Sequence, residues 1–369
     1  GMLIAVLDAG FVGGKTVGIN DGLDTIITRN FVEGGSNVYQ GSSHGFSVLS
    51  TMAAYQPEVF IGTAPQASYA LIKTEKELSE TPEEMMNWIA GAEFADSIGA
   101  DIINSSLGYS TFDDPNDDYS VSDLDGRTSI ISLGALAAAR TGMLVVTSAG
   151  NAGGSSWDKL TFPADADSIL TVGSVTQYGV ASSFSSRGYT VDGRVKPNVC
   201  ARGEGAVVYR SDGTLAYANG TSFSSPIMAG AAACLWSTVP DATAQEVIEA
   251  LEVSASHYYQ HNPRIGYGIP NLGFAHRYLS TIVDGKLPEI VVYPNPFPDY
   301  ISLFLPDGEA LDIHLELRDL NQRTVAITTL ESKRYKALWS PGDNIAPGTY
   351  ILYIERGGRT LMQRVIKLL

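Results

Sequence analysis

Three residues that could together perform nucleophilic catalysis stand beside predicted helices and strands. Ser222 lies in the run 219–226, at the start of an apolar helical stretch. His44 follows a loop of small residues and precedes another helical stretch, and Asp8 ends the apolar run 2–7. A serine hydroxyl becomes a nucleophile when a histidine accepts its proton and a carboxylate orients that histidine. These residue types therefore make Asp8, His44 and Ser222 candidates for a catalytic site.

Each of these residues also has a simpler interpretation. An aspartate after a strand commonly starts a turn, and a serine at a helix start commonly caps the helix. Ser222 is the strongest candidate, because unpaired N–H groups and the positive end of a helix dipole favour an oxyanion at that place. The chain order Asp8, His44, Ser222 also differs from the Ser–Asp–His order of lipases and esterases, which disfavours that class.

The elements that must position these side chains alternate in the first 280 residues. Short Val/Ile/Leu-rich strands without strict alternation are typical of a parallel sheet covered on both faces, so the pattern predicts an α/β domain. Ligands of such sheets lie at the carboxyl ends of the strands, where Asp8 stands. Strands are predicted at 3–7, 69–73, 102–107, 144–148 and 169–175, and helices at 48–55, 83–98 and 129–140.

A second kind of pattern begins near residue 286. From there to the end, alternating strands separated by Pro, Gly, Asn and Asp turns predict a small all-β sandwich. The predicted domains are an α/β domain at 1–282, a linker at 283–288 and the sandwich at 289–369.

The segments around the three candidates resemble the subtilisin family. Residues 220–226 resemble its serine signature, 4–11 its aspartate signature and 44–54 its histidine segment, although 46, 47, 49 and 50 differ from it. The resemblance covers about residues 2–275 and implies a subtilisin-like three-layer fold with a mainly parallel sheet. It also implies a serine endopeptidase that acts through an Asp–His–Ser triad and an acyl-enzyme on peptide or protein substrates, without a cofactor. The alternative is an inactive subtilase-fold protein that binds peptides.

Two further segments resemble parts of the same family's substrate site. The run 147–151 resembles the oxyanion segment, which implies that the side chain of Asn151 donates to the oxyanion. The run 103–108 resembles the strand that pairs with substrate backbone. Asp158 is expected at the rim of the pocket for the P1 side chain, the residue before the cleaved bond, where it would favour basic residues; the alternative is that Asp158 faces solvent. The residues implied in substrate binding are Ser106, Leu107, Gly108, Ala149, Gly150 and Thr221.

The β module resembles the C-terminal sorting domain of type IX secretion substrates in Bacteroidetes. The resemblance rests on 293–297, 319–323, 347–351 and 364–368. It implies contact with secretion machinery, and a protein secreted from, or held on the surface of, a Gram-negative bacterium. A signal peptide, a pro-segment or both are expected upstream. A sugar-binding, adhesive or merely stabilising sandwich is the alternative.

The composition of the chain disfavours some classes of binding partner. The net charge of −16 disfavours nucleic acid, no apolar run reaches membrane-spanning length, and a monomer is expected. Two cysteines cannot form a disulfide framework; Cys234 is predicted to be a buried free thiol, while a bridge to Cys200 stays open.

An acidic loop is rich in the oxygen ligands that Ca²⁺ prefers. A solvated loop is the favoured interpretation, and structural Ca²⁺ is the alternative, since the spacing is not that of an EF-hand. The candidate ligands are Asp113, Asp114, Asp117, Asp118, Asp123 and Asp125.

Overall fold

The computed structural model divides the chain into two compact units, Gly1–Leu279 and Ser280–Leu369. The predicted domain limits at 282 and 289 stay predictions, and residues 285–289 lie outside the described part. The structure describes residues 1–14, 26–284, 290–293, 295–297, 299–305, 311–331, 336–342 and 344–368.

The first unit is built on a sheet of seven parallel strands. The strands of this unit are β1 Leu3–Asp8, β2 Ile26–Asn30, β3 Tyr55–Gln56, β4 Phe60–Ile61, β5 Ser68–Lys73, β6 Ile102–Ser105, β7 Leu144–Ser148, β8 Leu170–Val175, β9 Val199–Arg202, β10 Ala206–Tyr209 and β11 Leu215–Ala218. The order in the sheet is β2-β5-β1-β6-β7-β8-β9, and two small antiparallel pairs, β3-β4 and β10-β11, accompany it.

Helices cover both faces of this sheet. The helices are α1 His44–Ala53, α2 Pro82–Ser97, α3 Ile130–Arg140, α4 Thr221–Ser237, α5 Ala244–Ser254 and α6 Leu272–Asp284. Helices α2 and α3 pack on the face that holds Leu7 and Ile103, while α1 and α4 contact the opposite face. The predicted three-layer α/β fold is therefore confirmed.

Helix α4 is buried along most of its length because small residues allow close approach to its neighbours. A Cβ atom on Gly230 would lie 2.1 Å from Thr63 Oγ1, so a side chain at this position has no room. Cys234 lies on the outward side of the same helix, where its thiol donates to the carbonyl of Thr63 at 3.1 Å. Cys234 is exposed and Cys200 is buried, both as free thiols. The prediction of a buried Cys234 is therefore wrong, because an apolar run in a helix wraps around its whole circumference.

The second unit contains two antiparallel sheets, β12-β13-β16 and β15-β14-β17-β18. Ile301 and Leu303 of the first sheet share a buried core with Leu315, Leu352 and Ile354 of the second. The predicted region of antiparallel strands is confirmed. The strands are β12 Val291–Tyr293, β13 Ile301–Phe304, β14 Asp312–Arg318, β15 Thr324–Glu331, β16 Lys336–Trp339, β17 Gly348–Arg356 and β18 Arg359–Lys367.

Within the described residues, none of the helices combines the length and the apolar character needed to span a bilayer.

Candidate functional site

Asp8 and His44 form a hydrogen-bonded pair at the carboxyl edge of the parallel sheet. Asp8 ends β1 and is fully buried, and His44 begins α1 with about a third (34%) of its side chain exposed. Nδ1 of His44 lies 2.9 Å from both carboxylate oxygens of Asp8. Because a carboxylate only accepts hydrogen bonds, Nδ1 carries the proton and Nε2 is left as an acceptor.

The contact between β1 and α1 requires a glycine after the histidine. A Cβ atom on Gly45 would lie 2.6 Å from the carbonyl oxygen of Gly10 and 2.8 Å from Cβ of Asp8. The Gly45 N–H donates to that same carbonyl oxygen at 3.1 Å. Gly45 therefore allows the first turn of α1 to rest on the end of β1, which brings His44 to Asp8.

The positions of α1 that depart from the subtilisin pattern contact β10. Ser47 Oγ donates to the carbonyl of Tyr209 at 2.9 Å, and the N–H of Tyr209 donates to Ser50 Oγ at 3.0 Å. Phe46 packs in a small buried cluster with Tyr209. These departures thus join α1 to the β10-β11 pair and leave the His44–Asp8 contact intact.

The electrostatics of the pair favour the charged form of the histidine. The negative charge of Asp8 raises the pKa of His44, burial lowers it, and the hydrogen bond to Asp8 raises it further, with a net rise above 6.5. The imidazolium that forms when His44 accepts a proton is therefore stabilised.

Ser222 lies in the first turn of α4 and is tied to the end of β6. Its hydroxyl donates to the carbonyl of Ser106 at 3.2 Å, and the hydroxyl of Ser106 donates to the carbonyl of Ser222 at 2.9 Å. Among the described residues, no hydrogen bond joins Ser222 to His44. The ring of His44 lies 5.9 Å from the ring of Phe223, the next residue along, so the histidine stands beside this turn of α4.

Asn151 follows β7 and reaches the same helix end. Its Oδ1 accepts hydrogen bonds from the N–H of Thr221 at 2.8 Å and from the hydroxyl of Thr221 at 3.0 Å. An N–H group can only donate, so the oxygen must face Thr221 and Nδ2 must point away from it. Nδ2 would lie 3.7 Å from a Cβ atom on Gly220, which places this donor beside the residues that precede Ser222.

Thr161 lies between the two predicted substrate segments. A Cβ atom on Gly108 would lie 2.2 Å from Thr161 Oγ1, and one on Gly150 would lie 2.6 Å from it. The Thr161 hydroxyl is buried and makes no hydrogen bond within the described part of the chain. The N–H of Thr161 donates to the carbonyl of Ala149 at 3.2 Å. Leu107 is half-buried beside Gly108, which is exposed. No motif in the sequence points to Thr161.

Asp158 is not a free acidic group. Arg187 forms an ion pair with it at 3.1 Å, and the N–H of Gly154 donates to its other oxygen at 2.7 Å. The predicted preference for basic side chains at this rim therefore loses its electrostatic basis.

Most acidic side chains of the loop 110–126 accept hydrogen bonds from backbone N–H groups. Asp118 accepts from the N–H of Phe112 at 2.7 Å, and Asp113 accepts from the N–H of Glu80 at 3.2 Å. No group of three or more His, Cys, Asp or Glu is arranged to hold a metal ion in the ranges that the structure describes. Asp114, Asp123 and Asp125 likewise accept hydrogen bonds from residues two or three positions away, whereas Asp117 is an exposed loop residue.

Comparison with curated proteins finds subtilisins. The chain is 34% identical over 232 residues to subtilisin E of Bacillus subtilis (strain 168), a match that covers 62% of this chain and 55% of that protein. It is equally identical to subtilisin of Bacillus pumilus, covering 76% of that protein. The chain thus spans about half the length of several of its curated relatives.

Solved structures show the same fold at lower identity. The prenylagaramide maturation protease PagA aligns at 23% identity with a TM-score of 0.59, covering 75% of this chain and 93% of that one. MycP1 from the ESX-1 type VII secretion system aligns at 22% identity with a TM-score of 0.59, covering 75% and 80%. The model of the subtilase family matches residues 1–269, which is more than half of the sequence. The chain therefore belongs to the subtilase family.

Proposed function

We propose that this chain is a serine endopeptidase in which Ser222 is the nucleophile, His44 the general base and Asp8 its orienting carboxylate. The observation that carries the proposal is the 2.9 Å contact of His44 Nδ1 with buried Asp8, beside the first turn of α4. Membership of the subtilase family and the likeness to subtilisins support it. No cofactor takes part in this chemistry.

The first step is attack of Ser222 Oγ on the peptide carbonyl carbon while Nε2 of His44 takes the hydroxyl proton. The hydroxyl must first turn from the carbonyl of Ser106 towards His44, since it donates to that carbonyl at 3.2 Å. Catalytic hydrogen bonds often form only in the complex with substrate. Asp8 keeps the histidine in the Nδ1–H tautomer and stabilises the imidazolium.

The negative oxygen of the tetrahedral intermediate needs donors beside Ser222. Nδ2 of Asn151 is one, because Thr221 holds the other end of the amide. The N–H of Ser222 is the second, since a first-turn N–H has no partner within its own helix and none occurs among the described residues. The proton on His44 then passes to the leaving amine, and water hydrolyses the acyl-enzyme.

The peptide lies along the segments 106–108 and 149–151 in this proposal. Ser106 and Gly108 offer backbone groups at the end of β6, and Gly150 brings the second segment close to Thr161. Thr221, implied in substrate binding, acts by orienting Asn151.

An active-site probe tests the enzyme against an inactive peptide-binding protein. The bond of the Ser222 hydroxyl to Ser106 is the observation that keeps the inactive form as a second candidate. A fluorophosphonate should label the folded chain and should not label Ser222→Ala. Absence of labelling in the folded wild-type chain would favour the peptide-binding protein.

We also propose that the second unit serves type IX export to the surface of a Gram-negative bacterium, or to the medium. Its antiparallel strands and the short runs that resemble the sorting domain support this. Deletion of residues 288–369 in the native host should leave the enzyme in the periplasm. Normal surface delivery without these residues would refute the proposal.

A further inference from the structure

A buried glutamate lies beneath the predicted substrate segment. Glu75 follows β5 at the same sheet edge as Asp8 and is 6% exposed. Its carboxyl group accepts a hydrogen bond from the hydroxyl of Tyr109 and another from Thr74 Oγ1 at 3.1 Å. Tyr109 is 1% exposed, so both members of this pair are inside the protein. The proposed catalytic steps use neither residue.

Tyr109 is one of two anchors of the segment 106–108. Its backbone N–H and carbonyl exchange hydrogen bonds of 2.9 Å with Phe162, and its side chain bonds to Glu75. The other anchor is Ser106, which exchanges hydrogen bonds with Ser222. Gly108 stands directly before Tyr109, so a shift of the phenol moves the backbone that would pair with the peptide.

We propose that Glu75 is a positioning residue that holds the segment 106–108 for substrate pairing through the phenol of Tyr109. This inference rests on the proposed function for its catalytic consequence. The hydrogen bond and the anchoring of Tyr109 are features of the fold and can be tested without turnover.

The surroundings of Glu75 keep its carboxyl group protonated near neutral pH. Burial raises the pKa of Glu75, the hydrogen bonds from Tyr109 and Thr74 lower it, and the charges of Glu84 and Glu80 raise it, with a net pKa of about 8. Burial and the neighbouring Glu75 raise the pKa of Tyr109 well above its usual value, so the phenol remains a donor.

The other charged groups near Glu75 are mostly acidic. Burial and the charges of Glu84 and Asp113 together raise the pKa of Glu80 to about 7. The N–H of Glu80 donates to Asp113 at 3.2 Å, which ties the loop after β5 to the loop after β6. Lys76, the next residue after Glu75, is a cation and is paired with Glu83 at 2.6 Å. Ionisation of Glu75 therefore adds a buried charge to an acidic cluster.

The sign of the pH effect follows from the raised pKa. When the segment 106–108 is in place, Glu75 is buried and its pKa is about 8; when the segment opens, Glu75 meets solvent and its pKa returns to the usual 4.5. Between pH 4.5 and about 8, the buried carboxyl group therefore holds a proton that the solvated one releases. Each unit of rising pH in this window favours opening by up to about tenfold. The segment 106–108 should therefore loosen with rising pH, which weakens substrate binding more than it slows the chemical step.

Amide hydrogen exchange of residues 106–112 tests the structural part directly. In the full chain, protection corrected for the intrinsic exchange rate should fall at least fivefold between about pH 6 and about pH 8. In Glu75→Gln, which keeps an acceptor for Tyr109 but cannot ionise, the fall should be less than twofold. An equal pH response in both proteins would overturn the proposal.

Hydrolysis of fluorescein-labelled casein tests the catalytic part. The ratio of wild-type KM to Glu75→Gln KM should rise from about one at pH 6 to at least about threefold at pH 9, with the kcat ratio unchanged within twofold. His44 titrates in both proteins, so its effect cancels in these ratios. A ratio of KM that does not change with pH would overturn the positioning role.

Glu252 supplies a matched control on α5. It also accepts a hydrogen bond inside the protein, from Asn198 Nδ2 at 2.6 Å, and burial raises its pKa. Glu252→Gln should change the pH dependence of stability, while the ratio of wild-type KM to Glu252→Gln KM stays at about one at every pH. A rise of this ratio with pH like that of Glu75→Gln would mean that Glu75 acts only through general stability. If wild type neither cleaves casein nor reacts with the fluorophosphonate, the proposed function fails, and the exchange result still decides whether Glu75 holds the segment.

Discussion

Both hydrogen-bond donors of Thr221 point at one atom, Oδ1 of Asn151, at 2.8 and 3.0 Å. The amide therefore has a single orientation, with Nδ2 turned towards the place where the oxyanion of the proposed reaction would form beside Ser222. A donor held in this way needs no reorganisation during the reaction, which is the condition for strong electrostatic stabilisation of a transition state.

Replacement of Asn151 by Ala should lower kcat by roughly 10²–10³-fold with little change in KM, the size known for the equivalent donor of subtilisin. Thr221→Ser keeps both donors to Asn151 and is the matched control, with kcat within about threefold of wild type. Steady-state kinetics on a peptide substrate decide the matter. An increase in KM with kcat unchanged would mean that Asn151 contributes to binding of the ground-state substrate instead.

The pH–rate profile should report the Asp8–His44 pair. His44 must be neutral to accept a proton, and the charge of Asp8 raises its pKa above 6.5, so kcat/KM should rise through a midpoint above that value. Asp8→Asn removes the charge, and should move the midpoint to lower pH while it lowers kcat by roughly 10⁴-fold. An unchanged midpoint in Asp8→Asn would show that another group titrates.

The two glycines near Thr161 should respond differently to a compensating change. Gly108→Ala should raise KM because the new Cβ meets Thr161 Oγ1 at 2.2 Å, and Thr161→Gly should restore it in the double variant. The KM of Gly150→Ala should not be restored by Thr161→Gly, because φ of +101° at Gly150 disfavours any side chain. Equal rescue of both variants would show that the contact with Thr161 is the whole effect.

Lys196 should give stability an unusual pH dependence. Its Nζ donates to Ile169 O, Thr171 Oγ1 and Asn198 Oδ1 at 2.9–3.1 Å, yet burial lowers the pKa of Lys196 to about 7. Between about 7 and the usual 10.5 the unfolded chain binds more protons than the folded one, so this residue makes stability rise with pH.

Lys196→Met removes that contribution. The difference in unfolding free energy, mutant minus wild type, should fall as pH increases between about 7 and 10, by at most about 1.4 kcal/mol per pH unit. Denaturant unfolding at several pH values provides the measurement. A difference that is independent of pH would mean that Lys196 is charged in the folded protein throughout this range.

Sequence patterns predict the part of the candidate site that lies at the ends of strands and the starts of helices. Asp8 ends β1, His44 contacts it from the start of α1 and stands beside the first turn of α4, which holds Ser222, and short signatures mark these three positions. The predicted strands of the first unit do not include β2 and β9 of the main sheet or the pairs β3-β4 and β10-β11. β2 is an edge strand that contains Thr28 and Arg29, so it lacks the continuous apolar run of a central strand.

Other features depend on which distant side chains the fold brings together. Thr161 fills the space between Gly108 and Gly150, and Tyr109 reaches Glu75, 34 positions away, although no local motif marks these contacts. The charge of Asp158 is balanced by Arg187, which the order of residues could not reveal.

The exchange of hydrogen bonds between Ser106 and Ser222 would keep the nucleophile of the proposed enzyme inactive in the absence of substrate. In the structure, the hydroxyl of Ser222 donates to the carbonyl of Ser106. A peptide N–H that pairs with that carbonyl would compete with the hydroxyl for it and favour a turn of the hydroxyl towards His44. In the proposed enzyme, substrate binding would therefore help to activate the nucleophile.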